Sequence, residues 1–470
     1  MAYVALWFDC EDYVTPESDD ATLRLAELLS DLGIRGTFKF VGERARVLRR
    51  RGRRDVIGAV RRHDIGYHTD FHSRRPTVAE YLEGKSWHEG VIEFVQRESQ
   101  GAKDVREILQ AELSCYGQPG GSWAPHAYGA LARMGIRLYL DEGGHVGLNE
   151  EPFWYCNTLN VFNLRRNTCR LSLREPDALP DAKRRVAEIN DRLEREGGGL
   201  ISIWYHPCEF ATVSFWDGVN FARGADPPPG HWRAPPLKDR DEIERNFRDL
   251  REWLAYIRSL PGVEFVTGAD ILKLYPDPAE HRSLAPDQLM ALARSLTQEL
   301  SFVRMEDVWV SPAEAFSALV RALSASLRDR PLPDATPLQQ PLGPTVEAGV
   351  PATRFVTSWA QVWDGCRRAA RALRSTGHVP AEVSVGRRAT TPESLLSALA
   401  GAVVHLENAG SFPDRVRFAP AALATAAHVA DDSPSLWTWV IFPPGFTAPR
   451  SMALAKRQAW TLKPARAGAL

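Results

Sequence analysis

Cysteine is sparse and scattered: six residues, at 10, 115, 156, 169, 208 and 366, with no CxxC spacing among them. That argues against both a disulfide framework and a thiolate zinc site, and it fits a reducing compartment. Long hydrophobic runs are also missing, since no stretch approaches the ~20 apolar residues of a membrane helix. The N-terminus has no charged n-region leading into an apolar h-region, because Tyr3-Val4-Ala5-Leu6-Trp7-Phe8 runs directly into acidic residues. It reads as a folded strand, and the expectation is a cytoplasmic protein. Neither charge is in excess: 58 Lys and Arg face 59 Asp and Glu. No global field favours nucleic acid or an anionic membrane, so neither is expected as a partner. What the chain does have is a 44% hydrophobic content and 14 Trp over 470 residues, enough for two folded domains rather than one core.

Short apolar runs alternate with amphipathic helical stretches to about residue 275, the pattern of βα units around a parallel sheet. Strands are expected near 3–8, 34–41, 64–68, 114–118, 136–140, 158–163, 199–205 and 263–266, a count that suits a seven- or eight-stranded barrel. A helix is expected over about 21–32, capped by Asp19 or Asp20 and stopped by Gly33. The fold class is therefore α/β, a distorted (β/α) barrel over residues 1–280. From about 281 to 470 Ala, Leu, Arg and Ser dominate, which predicts a mainly helical accessory domain with a Pro-rich connector at 330–351. Two of its blocks resemble each other. Val310-Ser311-Pro312 with Phe316, Leu319, Val320 and Leu323 recurs 80 positions later as Thr390-Thr391-Pro392 with Leu396, Leu399, Ala400 and Val403. Both read as capped amphipathic helices with Pro in the first turn, a degenerate repeat.

Two clusters carry chemistry. Phe8-Asp9-Cys10-Glu11-Asp12-Tyr13 puts three carboxylates at the end of an apolar strand, where barrels place catalytic groups and where the repulsion calls for a metal or a basic partner. His68-Thr69-Asp70-Phe71-His72 supplies two imidazoles at i and i+4. On one helical turn these would converge, and with a carboxylate they form a preferred ligand set for zinc-like ions. His63, His88, His126, His145 and His231 lack such pairing and are read as structural or solvent-facing.

Together these segments resemble the polysaccharide deacetylases, carbohydrate esterase family four with the NodB homology domain, over residues 3 to 275. Asp9-Cys10-Glu11-Asp12 resembles the first family motif, which implies Asp9 as general base and Asp12 as metal ligand. Gly36-Thr37-Phe38-Lys39-Phe40-Val41-Gly42 resembles the second strand, and His68 and His72 match the two metal-ligand histidines. Ile203-Trp204-Tyr205-His206-Pro207 resembles the late strand whose terminal His206 is the general acid. The family's Arg-x-Pro-x-Gly motif reads Gly117-Gln118-Pro119-Gly120-Gly121, so the Arg that orients the base is replaced by Gly117, and Arg74 or Arg75 is expected to supply the cation instead. Gly120 N–H is the implied oxyanion donor.

The resemblance implies one divalent metal, zinc with cobalt or nickel as alternatives, and metal-dependent hydrolysis of an amide, with N-deacetylation of an N-acetylated sugar or glycan precursor as the leading reaction. An allantoinase-like hydrolase of a small amide and a non-catalytic glycan-binding protein are the alternatives. Among Trp87, Trp123, Trp154, Trp204 and Trp216, the two favoured for substrate stacking are Trp123 and Trp216. Gly377-His378-Val379-Pro380 to Gly386 resembles pseudomurein-binding-like repeats, which implies glycan recognition or homo-oligomer assembly through the C-terminal domain.

Overall fold

The structure is a computed structural model that describes residues 1–326 and 332–465. Its spine is β1 (Ala2–Cys10), buried along its whole length, as expected for a parallel strand covered on both faces. Eight further strands follow: β2 (Thr37–Phe40), β3 (Asp64–Tyr67), β4 (Leu113–Tyr116), β5 (Leu138–Leu140), β6 (Phe153–Tyr155), β7 (Thr158–Val161), β8 (Gly199–Tyr205) and β9 (Val263–Val266).

The sheet runs β6-β7-β5-β4-β3-β2-β1-β8. One side of β1 pairs along Ala2–Phe8 with β8; the other pairs at Ala2–Ala5 with β9 and at Trp7–Cys10 with β2, so β9 wedges under β2. Eight strands are mutually parallel and β6 is antiparallel to β7. The result is a curled, incompletely closed barrel wrapped by helices, the expected α/β class with its far edge left open. All eight expected strands are present, and β6 is the one of these nine that was not expected, three residues between turns that are too short for an alternation to register. The first helix begins at Glu17, not near 21, and Gly33 follows its end with a left-handed φ of 63°. Asp19 does not cap it but lies buried against Arg44 and Arg51.

Buried residues from Ala279 to Leu323 and from Leu332 to Phe418, with Trp460, form a second hydrophobic cluster. Within it a helix–hairpin–helix unit occurs twice. Helix Pro286–Gln298, hairpin Val303–Met305/Val308–Val310 and helix Pro312–Ser324 are echoed by helix Trp359–Thr376, hairpin Val383–Val385/Arg388–Thr390 and helix Pro392–Ala409. Ser311 and Thr391 each cap the second helix with a side-chain oxygen. The first helix of one unit packs on the second helix of the other, reciprocally. The hairpin turn of the second copy uses Gly386 at φ 62°, and 80 residues earlier Glu306 adopts φ 56°. The turn geometry is retained where the glycine that signals it is not. Of the Pro-rich connector, Arg330 and Pro331 lie outside the described residues.

The helical domain drawn over 281–470 needs its end moved. Beyond about residue 423 most of the chain packs on the barrel, while Trp460 stays in the helical cluster. Val429, Trp437, Phe442, Met452, Leu454 and Leu462 belong to the barrel core. Lys463–Pro464 then adds an antiparallel strand to β6 and covers that edge. Lys463 is buried and pairs with Asp277 at 2.8 Å and Glu314 at 2.6 Å, tying the strand to the helical body.

Candidate metal centre and active site

Side chains two apart on a strand share a face. Asp9 and Glu11, at the C-terminal end of β1, therefore point together into the barrel mouth, and Asp12 does not. The Asp12 carboxylate turns back along the chain, accepting from Val14 N at 2.9 Å, Thr15 N at 3.0 Å and Ser18 Oγ at 2.7 Å. It organises the turn that leads into the first helix, where burial raises its pKa against those hydrogen bonds. Glu11 occupies the place that the resemblance implied for Asp12. Its Oε2 lies 2.8 Å from His72 Nε2 and 3.7 Å from His68 Nε2.

The two histidines do not share a helical turn. They follow β3 in a loop in which Thr69 (φ 66°) and His72 (φ 54°) are left-handed, and this reversal brings their rings to 4.9 Å. The loop is clamped from several sides: Gly42 N and Glu43 N donate to Thr69 O and Asp70 O, Tyr13 Oη to Phe71 O, and Asp70 N to the Glu98 carboxylate. Asp70 fits against Gly101, where any side chain on the helix Trp87–Leu109 would collide with it.

His68 Nδ1 lies 3.1 Å from Gly117 O. A carbonyl only accepts, so Nδ1 carries a proton and Nε2 is the nitrogen turned to the site. The Nε2 atoms of His68 and His72 are buried without a hydrogen-bond partner, and with a Glu11 oxygen they form a group whose ligand atoms all lie within 4.8 Å of one another. Two imidazole nitrogens and a carboxylate converging this closely fit one divalent cation. The triad that fits the ion is Glu11, His68 and His72.

The cation beside Asp9 comes from another strand, not from Arg74 or Arg75. β1 and β2 pair in a register that sets Asp9 opposite Lys39, and Lys39 Nζ lies 2.9 Å from both Asp9 and Asp141 and donates to Leu140 O at 2.7 Å. A Cβ on Gly117 would collide with that ammonium, so the glycine and the lysine are complementary. Arg75 is engaged by Glu80 and Gly224 O, and Arg74 lies over the Phe71 ring; neither supplies the cation expected of it. Burial would push the Asp9 carboxyl up, but His68, Lys39 and His206 outweigh it and hold it below its usual range. For Lys39 burial acts downward, and Asp141 and Asp9 reverse it.

His206 stands across the site, its Nε2 3.8 Å from Asp9 and 3.9 Å from Glu11, and its Nδ1 2.7 Å from Glu209 Oε1. Burial opposes its charge, yet Glu11, Glu209 and Asp9 raise it to about 9. Glu209 is in turn held at about 2, against burial, by Arg170 and His206.

A cavity of about 370 Å³ opens over these groups, lined by Trp204, Phe215, Glu142 and Asp217 as well as the site residues. Gly120 reaches it in a left-handed conformation, φ 49°. The two tryptophans favoured for stacking do other work. Trp123 is fully buried, bonded to Tyr128 and stacked on His145. Trp216 is equally buried and donates to Glu11 Oε1 at 3.1 Å, holding the carboxylate instead of a substrate. Two contributors lacked a recognised signal: Lys39, detectable as a cation between Phe38 and Phe40 in a buried strand, and Trp439, which no local pattern connects to residues 9–72.

No family model matches the chain, and no curated protein matches it. Solved structures do. A protein of Mycobacterium smegmatis assigned as a polysaccharide deacetylase aligns at 15% identity over 58% of this chain and 89% of its own, with a TM-score of 0.38. The PuuE allantoinase aligns at 12% identity over 58% and 89%, TM-score 0.38. The α-amylase AmyC of Thermotoga maritima aligns at 8% identity over 69% and 85%, TM-score 0.40.

Proposed function

We propose that this chain is a metal-dependent amide hydrolase that removes the acetyl group from an N-acetylated sugar or glycan precursor. The observation that carries the reading is the convergence of Glu11, His68 and His72 on one point, with Asp9 and His206 on its flanks. Glu11, His68 and His72 would hold the ion, with zinc the first choice for two imidazoles and a carboxylate and cobalt or nickel as substitutes. When bound, the ion supplies Lewis acidity toward the acyl carbonyl and lowers the pKa of water.

The protein's own groups do the rest. Asp9, ionised and fixed by Lys39, takes a proton from the attacking water. Gly120 N–H serves the developing oxyanion. His206, protonated at neutral pH, gives its proton to the departing nitrogen, so acetate and a free amine leave. Trp216 and Glu209 position Glu11 and His206.

A second reading is favoured by the compactness of the cavity. At about 370 Å³ it lies near the low end of small-molecule sites, which suits a small cyclic or linear amide as well as a single sugar ring. The test is metal analysis together with acetate and amine release from N-acetylglucosamine oligomers and from small cyclic amides. Wild type is expected to carry metal and release acetate. Asp9→Asn is expected to keep the metal and lose ~10²–10⁴-fold in rate. Purified protein that holds no metal and hydrolyses neither class would overturn the proposal in favour of a non-catalytic glycan-binding role.

A further inference from the structure

The wall of the cavity above the histidines comes from a segment about 230 residues further along the chain than His206. Residues 438–440 line it, and the segment is anchored on both sides. Asp432 accepts from Trp437 Nε1 and from Ala448 N. Arg223 N and Gly224 N donate to Val440 O and Ile441 O at 2.9 and 2.8 Å.

The Trp439 indole is fixed within this frame. Its Nε1 donates to Asp217 Oδ2 at 2.8 Å, its ring meets His72 edge-on at 5.3 Å and 85°, and it rests against Gly120, where a Cβ would collide with it. The ring is neither buried nor free: it is half-exposed and faces the same cavity as the metal-ligand group.

We propose that Trp439 is a substrate-positioning and specificity-determining residue, a fixed aromatic wall for a ring-sized amide. This rests on the hydrolase reading above. The ring class follows from the cavity. An amphipathic indole held by its N–H offers an apolar face to a flat or sugar-like ring, and the volume admits about one such group. Glu142 and Asp217 also line the cavity and can receive ligand hydroxyl or N–H donors. Both a monosaccharide amide and a small cyclic amide meet this description, so both serve as probes.

The experiment compares metal-loaded full-length wild type, W439A and W439F. It measures kcat and KM by amine release, and Kd by calorimetry, for N-acetylglucosamine and for hydantoin. W439A is expected to raise KM and Kd for the preferred probe about tenfold or more, the scale of a lost aromatic contact, with kcat within about threefold and metal content unchanged. W439F, which keeps a ring, is expected to recover most of the affinity. Unchanged KM and Kd in W439A, a loss confined to kcat, or wild type that binds neither probe overturns the proposal. A metal-loaded wild type that binds a probe without hydrolysing it counts against the reaction proposed above, and the ratio of Kd values still decides the role of Trp439.

Discussion

Adjacent carboxylates part at the end of β1, and substituting each should separate their work. Glu11→Gln removes the anionic ligand and is expected to abolish stoichiometric metal, measured by elemental analysis of purified protein. Asp12→Asn should retain the metal and lower stability by ~1–2 kcal/mol in urea unfolding, because it weakens a turn-capping carboxylate. Lys39 and Glu209 act through charge, so their variants should move the pH profile. Lys39 holds the Asp9 carboxyl down; Lys39→Met therefore raises it and shifts the acid limb of kcat/KM to higher pH. The same variant leaves Asp9 and Asp141 buried without their cation and should cost ~3–5 kcal/mol in stability. Glu209 helps hold His206 near 9. Glu209→Gln should lower that value and move the basic limb to lower pH, as seen in rates from pH 6 to 10.

At the scale of elements, the histidine loop depends on the long helix behind it. Glu98 accepts from Asp70 N at 2.7 Å and from Tyr67 Oη at 2.6 Å, and burial raises its carboxyl to about 7. A carboxyl raised in the folded state binds its proton more tightly there than in the unfolded chain, whose value is 4.5. The stability it contributes is full below that value and declines as pH rises toward 7, by about 3 kcal/mol in all. Melting temperature should accordingly fall between pH 5 and 7.5, and Glu98→Gln, which keeps both acceptor contacts without the titration, should flatten that fall.

Across the whole molecule, Lys463 joins three parts of the chain. It belongs to the strand that closes the β6 edge, and it pairs with Asp277 at the end of the barrel sequence and with Glu314 in the first helical repeat. Lys463→Met would bury two carboxylates without their partner, a loss of ~3–5 kcal/mol. Scanning calorimetry is expected to show a lower transition temperature and separation of barrel and helical unfolding into two steps. The two bodies have their own apolar clusters, and among the described residues no helix is long and apolar enough to cross a membrane.

Local periodicity and spacing were enough to determine the parallel strands, the histidine pair and the recurrence of the capped helices, because each is written in residues close together in the chain, whereas His206 was implied only by the family resemblance. Glu11 was legible in principle, since strand alternation already puts it beside Asp9 and sets Asp12 apart. Three decisions lay beyond any local pattern. The cation for Asp9 comes from strand register, which sets Lys39 opposite it and fills the space above Gly117. The fate of Trp123 and Trp216 depends on burial, which an aromatic residue in a loop does not announce. The roof of the site depends on where the chain returns after residue 423, and only packing of that segment on the barrel core brings Trp439 to His72.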